Sequence, residues 1–216
     1  HELRTPLTAV RGYVEALLDG IQDPEQSRRF LETVARHTLR MERLVRDLLR
    51  LARLDAGQEA LERVPCPVHA LFDGVHTDLA EAAATRDVSI NSDIVPEGLT
   101  VTGDPAKLHD ALRNLLENAI NYSPDEGVVT LAARQHGNRV IITVSDEGPG
   151  IPIADLTRVF ERFYRVDKAR SRGGKDPGGT GLGLAIVKHL IELHGGTVSA
   201  ANGPQGGAVI TLDLPA

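Results

Sequence analysis

The sequence has little of several features that mark particular protein classes. Cys66 is the one cysteine in 216 residues, which excludes a disulfide within the chain and a zinc site built from several cysteines. No apolar run approaches the roughly 18 residues of a membrane-spanning helix, and no signal peptide is visible. The net charge of −6 and the pI near 5.8 argue against a nucleic-acid-binding surface. A globular protein of one or two domains remains. Since the first residue is not Met, we expect a piece of a longer protein.

Two long helices are predicted for the first segment. Its apolar residues alternate at spacings of four and three, a heptad pattern that includes Leu3, Leu7, Val10, Val14, Leu17 and Ile21. Asp23-Pro24 is typical of a helix start, and the second helix repeats the pattern with a flanking apolar row at Phe30, Leu44 and Leu51. This wider stripe favours a four-helix bundle made by two chains; the alternative is a hairpin packed on its own second domain.

Alternating strand and helix signals follow a hinge at 56–58. Strands are predicted at 61–64, 88–94, 99–102, 128–134, 139–145, 197–201 and 208–214, and helices at 68–85, 105–122 and 182–194. Strands joined by hairpins, with helices between them, predict an α+β fold in which helices cover one face of a mixed sheet.

The first seven residues combine a histidine with a carboxylate. His1 offers a nucleophilic nitrogen, and Glu2 can take its proton. His1 lies off the heptad seam, so we expect it to face solvent. Pro6 cannot donate the bond that the Glu2 carbonyl would receive, which predicts a kink one turn after His1. The alternative is a histidine left from cloning and a proline in an ordinary first helical turn.

Three asparagines lie on one face of the helix predicted at 105–122. Asn114, Asn118 and Asn121 follow spacings of four and three, with Glu117 beside them. Such an oxygen-rich surface suits a hard cation such as Mg²⁺ that also holds phosphates. The alternative is an ordinary polar face exposed to solvent.

Two glycine-containing runs indicate ligand contact. Asp146 follows a predicted strand and precedes Gly148 and Gly150, where the backbone can approach a ligand closely. The glycines at 178–183 precede a helix, so their N–H groups can point at an anion. This second run is neither a Rossmann fingerprint, because no strand feeds into it, nor a Walker A loop, because no Lys-Ser/Thr pair follows it. A simple turn and a flexible hinge are the alternatives.

A cationic segment lies between these two runs. We expect the Arg-, Lys- and Gly-rich stretch at 169–179 to form a mobile lid whose cations could reach phosphates. Phe160 and Phe163 are expected to anchor the base of this lid in apolar surface, and Arg165 beside them is well placed for a ligand.

The order and spacing of the five runs resemble the sensor histidine kinases of two-component signalling. Residues 1–7 resemble the H box, 114–122 the N box, 146–150 the G1 box, 160–163 the F box and 179–183 the G2 box. The resemblance implies a dimerisation and histidine-phosphotransfer hairpin at 1–57. It also implies a catalytic ATP-binding domain at 58–216, with the Bergerat α/β sandwich shared with gyrase, MutL-type and heat-shock-chaperone ATPases.

The resemblance also implies a role for each matching residue. His1 is the expected phosphoacceptor, Glu2 the general base, and Thr5 the residue that positions water when the partner regulator is dephosphorylated. The roles expected at the nucleotide are these: Asn118 as Mg²⁺ ligand, Asn114 near the phosphates, Glu117 in the water shell of the metal, Tyr122 against the nucleotide, Asp146 as acceptor for the adenine amino group, Gly148 and Gly150 as a thin wall, and Gly179, Thr180, Gly181, Leu182 and Gly183 as the phosphate loop.

One position departs from the family pattern. Many members carry Lys where this chain has Asn121, so a phosphate-facing cation is missing there. Our hypothesis is that Arg165, Lys168 or another lid cation takes its place.

The resemblance implies an ATP-dependent histidine autokinase that uses Mg²⁺, forms a homodimer and passes phosphate to an aspartate in the receiver domain of a response regulator. Phosphatase activity towards that regulator is a second expected activity. A gyrase- or chaperone-like conformational ATPase and a non-catalytic dimeric scaffold are the alternatives. We expect a cytoplasmic location, either alone or as part of a membrane-anchored sensor, and a poorly fixed His1 because nothing precedes it in the chain.

Overall fold

The hairpin predicted for the first segment is present. A computed structural model describes residues 3–20, 23–57, 60–166, 179–204 and 206–216. Helix α1 spans Arg4–Leu18 and helix α2 spans Pro24–Asp55. The rings of Tyr13 and Phe30 pack edge to face between the two helices, with centroids 5.0 Å apart.

The starts of both helices follow from local sequence. The Asp23 carboxylate accepts the backbone N–H of Glu25 at 3.0 Å, so Asp23 caps α2 as predicted. Pro6 is buried in the first turn of α1, where a backbone N–H would lack an intrahelical partner in any case. The kink expected between His1 and Pro6 involves residues outside the described part of the chain.

The flanking row of α2 is covered by the second domain of the same chain. Leu44 is 1% exposed and Leu51 is 3% exposed, and both belong to the core that α3 to α5 share. The interpretation that a second chain accounts for this row is therefore wrong for Leu44 and Leu51, and the alternative of packing on the second domain holds for them. A separate set of apolar side chains on the hairpin is exposed: Leu7, Leu18, Leu31, Leu39, Val45 and Leu49.

The second domain is an α+β layer, as predicted. Its elements are β1 Val64–Pro67, α3 Val68–Thr85, β2 Ser89–Val95, β3 Thr100–Gly103, α4 Pro105–Tyr122, β4 Val128–His136, β5 Arg139–Ser145, α5 Gly183–Leu193, β6 Thr197–Asn202 and β7 Ala208–Pro215. Five strands form a mixed sheet in the order β2-β4-β5-β7-β6, in which β2 and β4 are parallel and the other neighbours antiparallel.

The sheet buries one face against helices. Alternate residues of β5 point inward at Val140, Ile142 and Val144, as the period of two requires. Helix α4 packs between α3 and α5 and supplies Leu112 and Leu116 to the same core. The N box and the loop before α5 therefore meet on the helical layer.

One strand prediction was displaced. The strand expected at 61–64 lies at Val64–Pro67, and it pairs with β3 in a separate two-stranded sheet. A strand of such a short ladder tolerates prolines where no N–H is needed, so Pro65 and Pro67 do not end it. Cys66 is the buried residue of this strand, and its thiol donates to the Gly103 carbonyl oxygen at 3.2 Å. Burial raises the pKa of that thiol.

A buried histidine joins the two helices that border the site. The backbone N–H of Asp104, just before α4, donates to His194 Nε2 at 3.0 Å, and His194 Nδ1 lies 2.7 Å from the Leu190 carbonyl oxygen in α5. These partners require a neutral ring with its proton on Nδ1. The start of α4 is thereby fixed to the end of α5.

The carboxylate of Asp104 in turn caps α4. It accepts the backbone N–H groups of Ala106 and Lys107 at 3.1 and 3.2 Å. Burial alone would raise the pKa of Asp104, but hydrogen bonds from Lys107 and from the Glu62 backbone outweigh it and lower that pKa. The N-terminus of α4, the helix that carries Asn114, Asn118 and Asn121, is therefore capped by an ionised side chain.

Candidate nucleotide-binding site

Asp146 begins the loop that follows β5, which we call the Asp146 loop (residues 146–151). Its Oδ1 accepts the backbone N–H of Gly148 at 2.8 Å and that of Ala208 at 3.1 Å. Within the described residues Oδ2 has no protein partner, so it can accept a donor from a ligand. Burial raises the pKa of this carboxyl, and the two backbone hydrogen bonds oppose that rise.

Glycines let three backbone segments meet at this loop. A Cβ at Gly148 would lie 2.5 Å from the carbonyl oxygen of Tyr122, the last residue of α4. A Cβ at Gly207 would overlap the carbonyl oxygen of Asp146, and Gly207 has φ of +75°. The Asp146 loop thus lies between the end of α4 and the turn that joins β6 to β7.

The far end of the same loop is held by one side chain. Asn202 Oδ1 accepts the backbone N–H of Ile151 at 2.7 Å, and Asn202 Nδ2 donates to the Ile151 carbonyl oxygen at 2.7 Å. A Cβ at Gly150 would lie 2.8 Å from Asn202 Oδ1. Asn202 lies just after the strand predicted at 197–201 and was not among the predicted site residues.

The asparagine face of α4 points at the start of α5. The position of a Cβ at Gly183 lies 3.1 Å from Asn114 Oδ1 and 4.0 Å from Asn118 Nδ2. Asn114 Nδ2 donates to the Asp110 carbonyl oxygen at 2.8 Å, which leaves Asn114 Oδ1 as an acceptor on the loop side. The predicted N box and G2 box are therefore brought together.

The glycine loop (residues 179–183) leads into α5 and is supported by the F box. Gly181 has φ of +74°, and a Cβ there would lie 2.9 Å from the carbonyl carbon of Phe163. The Gly181 carbonyl oxygen accepts the Phe163 N–H at 2.8 Å. Leu182 is fully buried and fixes the end of the loop in the core. The first N–H groups of α5 are therefore presented at the site, where they favour an anion.

A residue of the hairpin reaches this loop. Thr180 Oγ1 donates to Asp47 Oδ2 at 2.8 Å, and the Leu182 N–H donates to Thr180 Oγ1 at 3.3 Å. Burial raises the pKa of Asp47, with the Thr180 bond and nearby arginines acting against it. Sequence reasoning missed Asp47 because nothing in the heptad pattern distinguishes it from other polar residues of α2.

Further polar contacts fix α2 against the second domain. Arg50 pairs with Asp110, and Arg162 donates to Asp55 at 2.7 Å. Together with the buried leucines of α2, they hold the glycine loop beside the hairpin.

The predicted site residues fall into three groups. The first group forms two clusters along α4. Asn114 and Asn118 lie beside Gly183 of the glycine loop, which also contains Thr180, Gly181 and Leu182, and the end of α4 at Tyr122 lies beside the loop of Asp146, Gly148 and Gly150. Glu117, Asn121 and Arg165 are half-buried, Gly179 is exposed at the start of the glycine loop, and Thr5 is exposed on α1, on the hairpin. His1, Glu2 and Lys168 lie outside the described residues, and so does the predicted lid except for Gly179. The expectation that His1 is poorly fixed therefore stays a prediction.

The expected role of Phe163 needs correction. Phe160 packs on the core as predicted, but the Phe163 side chain is 38% exposed. Phe163 has φ of +64°, which turns its backbone onto Gly181 instead of its ring onto apolar surface. Phe163 thus supports the glycine loop through its main chain.

The side-chain oxygens beside the glycine loop suit a cation that binds phosphate oxygens at the same time. Over the described residues, no group of three or more His, Cys, Asp or Glu side chains is arranged to hold a metal. Mg²⁺ commonly takes one or two protein oxygens and completes its shell with phosphate oxygens and water. The amide oxygens of Asn114 and Asn118, next to the glycine loop and the N-terminus of α5, fit that requirement.

Comparison with known proteins agrees with this geometry. The family described as "Histidine kinase-, DNA gyrase B-, and HSP90-like ATPase" matches residues 103–216, and "His Kinase A (phospho-acceptor) domain" matches residues 1–57. The chain is 41% identical over 216 residues to the sensor-like histidine kinase SenX3 of Mycobacterium tuberculosis, covering 100% of this chain and 52% of SenX3. The chain spans about half the length of the curated relatives that it first matches.

Solved structures show the same architecture. Full-length ShkA in complex with AMPPNP is similar with a TM-score of 0.72 and 29% identity, over 100% of this chain and 44% of ShkA. Histidine kinase ThkA in complex with the response regulator protein TrrA has a TM-score of 0.82 at 24% identity, over 100% of this chain and 59% of ThkA.

The fold and the two family matches define an ATPase-type nucleotide-binding domain that is joined to a phosphoacceptor-type hairpin. The chain belongs to the sensor histidine kinase family of two-component signalling. Among the described residues, none of the helices has the length and apolar character needed to cross a membrane.

Proposed function

We propose that this chain is an ATP-dependent histidine autokinase that phosphorylates His1 and passes the phosphoryl group to an aspartate of a response-regulator receiver domain. The hairpin domain would comprise residues 1–57 and the ATP-binding domain residues 58–216. The observation that carries the proposal is the glycine loop held against α2 through Thr180 and Asp47. This contact supports the proposal because it would bring phosphates bound at the glycine loop beside the hairpin that begins with His1.

Adenine recognition would fall to Asp146. The free Oδ2 accepts the 6-amino group of adenine, while the two backbone bonds to Oδ1 keep the carboxylate in one orientation. A purine with a carbonyl oxygen at position 6 would place an acceptor against this carboxylate. The site therefore selects ATP over GTP.

The phosphates would lie between the asparagine face and the start of α5. N–H groups at Gly181 and Gly183 donate to phosphate oxygens at the positive end of the helix. Mg²⁺ bound with the nucleotide supplies charge neutralisation of the phosphates, and Asn118 would hold it, with Asn114 at the phosphates and Glu117 in its water shell. Arg165 or Lys168 would supply the cation that Asn121 does not.

Phosphoryl transfer would then use the first two residues of the chain. A ring nitrogen of His1 attacks the γ-phosphorus, a bond forms between that nitrogen and phosphorus, and the bond to the β–γ bridging oxygen breaks, releasing ADP. Glu2 takes the proton that the ring loses. A receiver aspartate later accepts the phosphoryl group, and Thr5 would position water when the phosphorylated regulator is hydrolysed.

The exposed apolar row of the hairpin supports a homodimer. Leu7, Leu31 and Leu39 are each more than half exposed, and a second copy of the hairpin would bury such leucines in a four-helix bundle. A cytoplasmic location, where ATP and a receiver domain are both present, accords with this function.

Labelling with γ-³²P-ATP tests the proposal. The wild type should acquire phosphate that is labile to acid, and His1→Gln should acquire none. His69→Gln is the matched control, because His69 is exposed on α3 outside the cleft. Label that survives in His1→Gln would rule out His1 as acceptor. Release of free phosphate without any protein phosphate would instead favour the gyrase- or chaperone-like ATPase.

A further inference from the structure

The Asp146 loop is attached at both ends to the β6–β7 hairpin. At the first end, Asp146 donates its N–H to the Ala208 carbonyl oxygen at 3.0 Å and receives the Ala208 N–H on its carboxylate. At the second end, Asn202 makes two bonds to the backbone of Ile151. The glycines between these ends give the loop little rigidity of its own.

The Asn202 side chain pairs with the Ile151 backbone through one accepted and one donated hydrogen bond, as the backbone of a neighbouring strand would. Its amide oxygen takes the N–H and its amide nitrogen reaches the carbonyl oxygen, both at 2.7 Å. Of the side chains of this size, only an amide offers one acceptor and one donor in this spacing. Aspartate would place an oxygen against the Ile151 carbonyl oxygen.

The turn that follows Asn202 does not need this side chain. The backbone of Asn202 pairs with Ala208 in the β6–β7 ladder. The turn is closed by the Gly203 N–H, which donates to the Gly207 carbonyl oxygen at 3.1 Å. Removing the amide should therefore leave the hairpin intact and release one end of the Asp146 loop.

We propose that Asn202 is a positioning residue for the adenine subsite. By fixing Ile151, it keeps the Gly148 N–H on Asp146 Oδ1 and so keeps Oδ2 aimed at the purine 6-amino group. This inference rests on the proposed role of Asp146 in ATP binding. Asn202 touches no part of the nucleotide in this scheme and acts only through the loop.

Titration calorimetry with ADP and IDP tests the role, because IDP carries an oxygen in place of the 6-amino group. Asn202→Ala should weaken ADP binding about three- to tenfold, the effect of one or two hydrogen bonds, and IDP binding less than twofold. Asn138→Ala is the matched control, since Asn138 is exposed in the β4–β5 turn and its bond to Ala216 uses the backbone carbonyl. It should bind both nucleotides as the wild type does.

Other outcomes overturn the inference. Unchanged ADP affinity in Asn202→Ala would show that the loop does not need the amide, and equal losses for ADP and IDP would show a general structural role. Should Asn202→Ala fail to fold, Asn202→Asp keeps the shape and one bond and must show the same selective loss. A wild type that binds neither nucleotide would overturn the proposed function itself, which this inference presupposes.

Discussion

The two ends of the proposed nucleotide site are held by different kinds of contact. The adenine end is built inside one domain. Ala208 of β7 accepts the Asp146 N–H with its carbonyl oxygen and donates its own N–H to the Asp146 carboxylate, and glycines allow the close approach. The phosphate end depends on a second region, because Thr180 of the glycine loop donates to Asp47 of the hairpin. The proposed base-binding end is thus held within one domain, whereas the glycine loop at the proposed phosphate end is coupled to the position of α2.

Gly207→Ala should produce the largest effect at the adenine end. The added Cβ would overlap the Asp146 carbonyl oxygen and would sit at positive φ, so the loop must move. We expect a destabilisation of about 3 kcal/mol and a loss of ADP affinity of more than tenfold, measured by denaturant unfolding and calorimetry. Gly179→Ala, at the phosphate end, meets nothing within 4 Å and should change stability by less than about 0.5 kcal/mol. Similar effects of the two substitutions would contradict the comparison.

Leu51→Ala should loosen the attachment of α2. Leu51 is 3% exposed and borders a groove with Phe160 and Ala185, so its truncation should cost about 2–4 kcal/mol in the free energy of unfolding. Leu49, two residues earlier and 57% exposed, provides the control, and Leu49→Ala should cost about 0.5 kcal/mol or less at protein concentrations where the chain is monomeric. Equal costs in urea unfolding would show that α2 does not pack on the second domain in solution.

Asp47→Ala should raise ATP affinity. The substitution removes a carboxylate that accepts the hydrogen bond of the Thr180 hydroxyl. The same carboxylate would repel phosphates that bind at the glycine loop. We expect a gain of about two- to fivefold, the scale of one exposed or half-buried charge interaction, measured by calorimetry. Glu42→Ala removes a carboxylate from an exposed position on the same helix and should leave ATP affinity unchanged. Weaker binding by Asp47→Ala would mean that Asp47 supports the loop instead of competing with ATP.

Mild acid should act in opposite directions on folding and on ADP binding, and this is the smallest expected effect. Burial raises the pKa of both Asp146 and Asp47 above 3.8. The folded chain therefore binds more protons than the unfolded chain in the window just above pH 3.8, and these two groups favour folding more as pH falls through it. ADP binding needs ionised Asp146, so ADP affinity should fall over the same window, as read from calorimetry at a series of pH values. Asp47→Asn should keep this fall, because its cause is Asp146; a flat profile in that variant would assign the effect to Asp47.

Much of the fold was predictable because its signals are local. The Asp23 cap, the helix at Val68–Thr85 and the strand at Arg139–Ser145 each follow from periodicity or from capping within a short window. The displaced strand at Val64–Pro67 differs because its partner β3, not its own composition, decides where it begins. Local patterns could not show that partner.

The same distinction applies to the candidate site. Its boxes are contiguous runs, so their residue types and spacing were visible in the sequence. Asp47 and Asn202 reach the cleft only through tertiary packing, from 133 and 51 residues away from the residues they contact. The sequence favoured a second chain over the second domain as the cover for Leu44 and Leu51 for the same reason, since an apolar stripe does not say which surface will cover it.

The bond between Asp104 and His194 has one further consequence. It ties the beginning of the asparagine helix to the end of the helix after the glycine loop, at 3.0 Å and out of contact with solvent. These two helices are therefore joined at the ends that lie away from the candidate site. We expect any rearrangement around a bound nucleotide to occur at the opposite ends of these helices, where the asparagine face and the glycine loop lie.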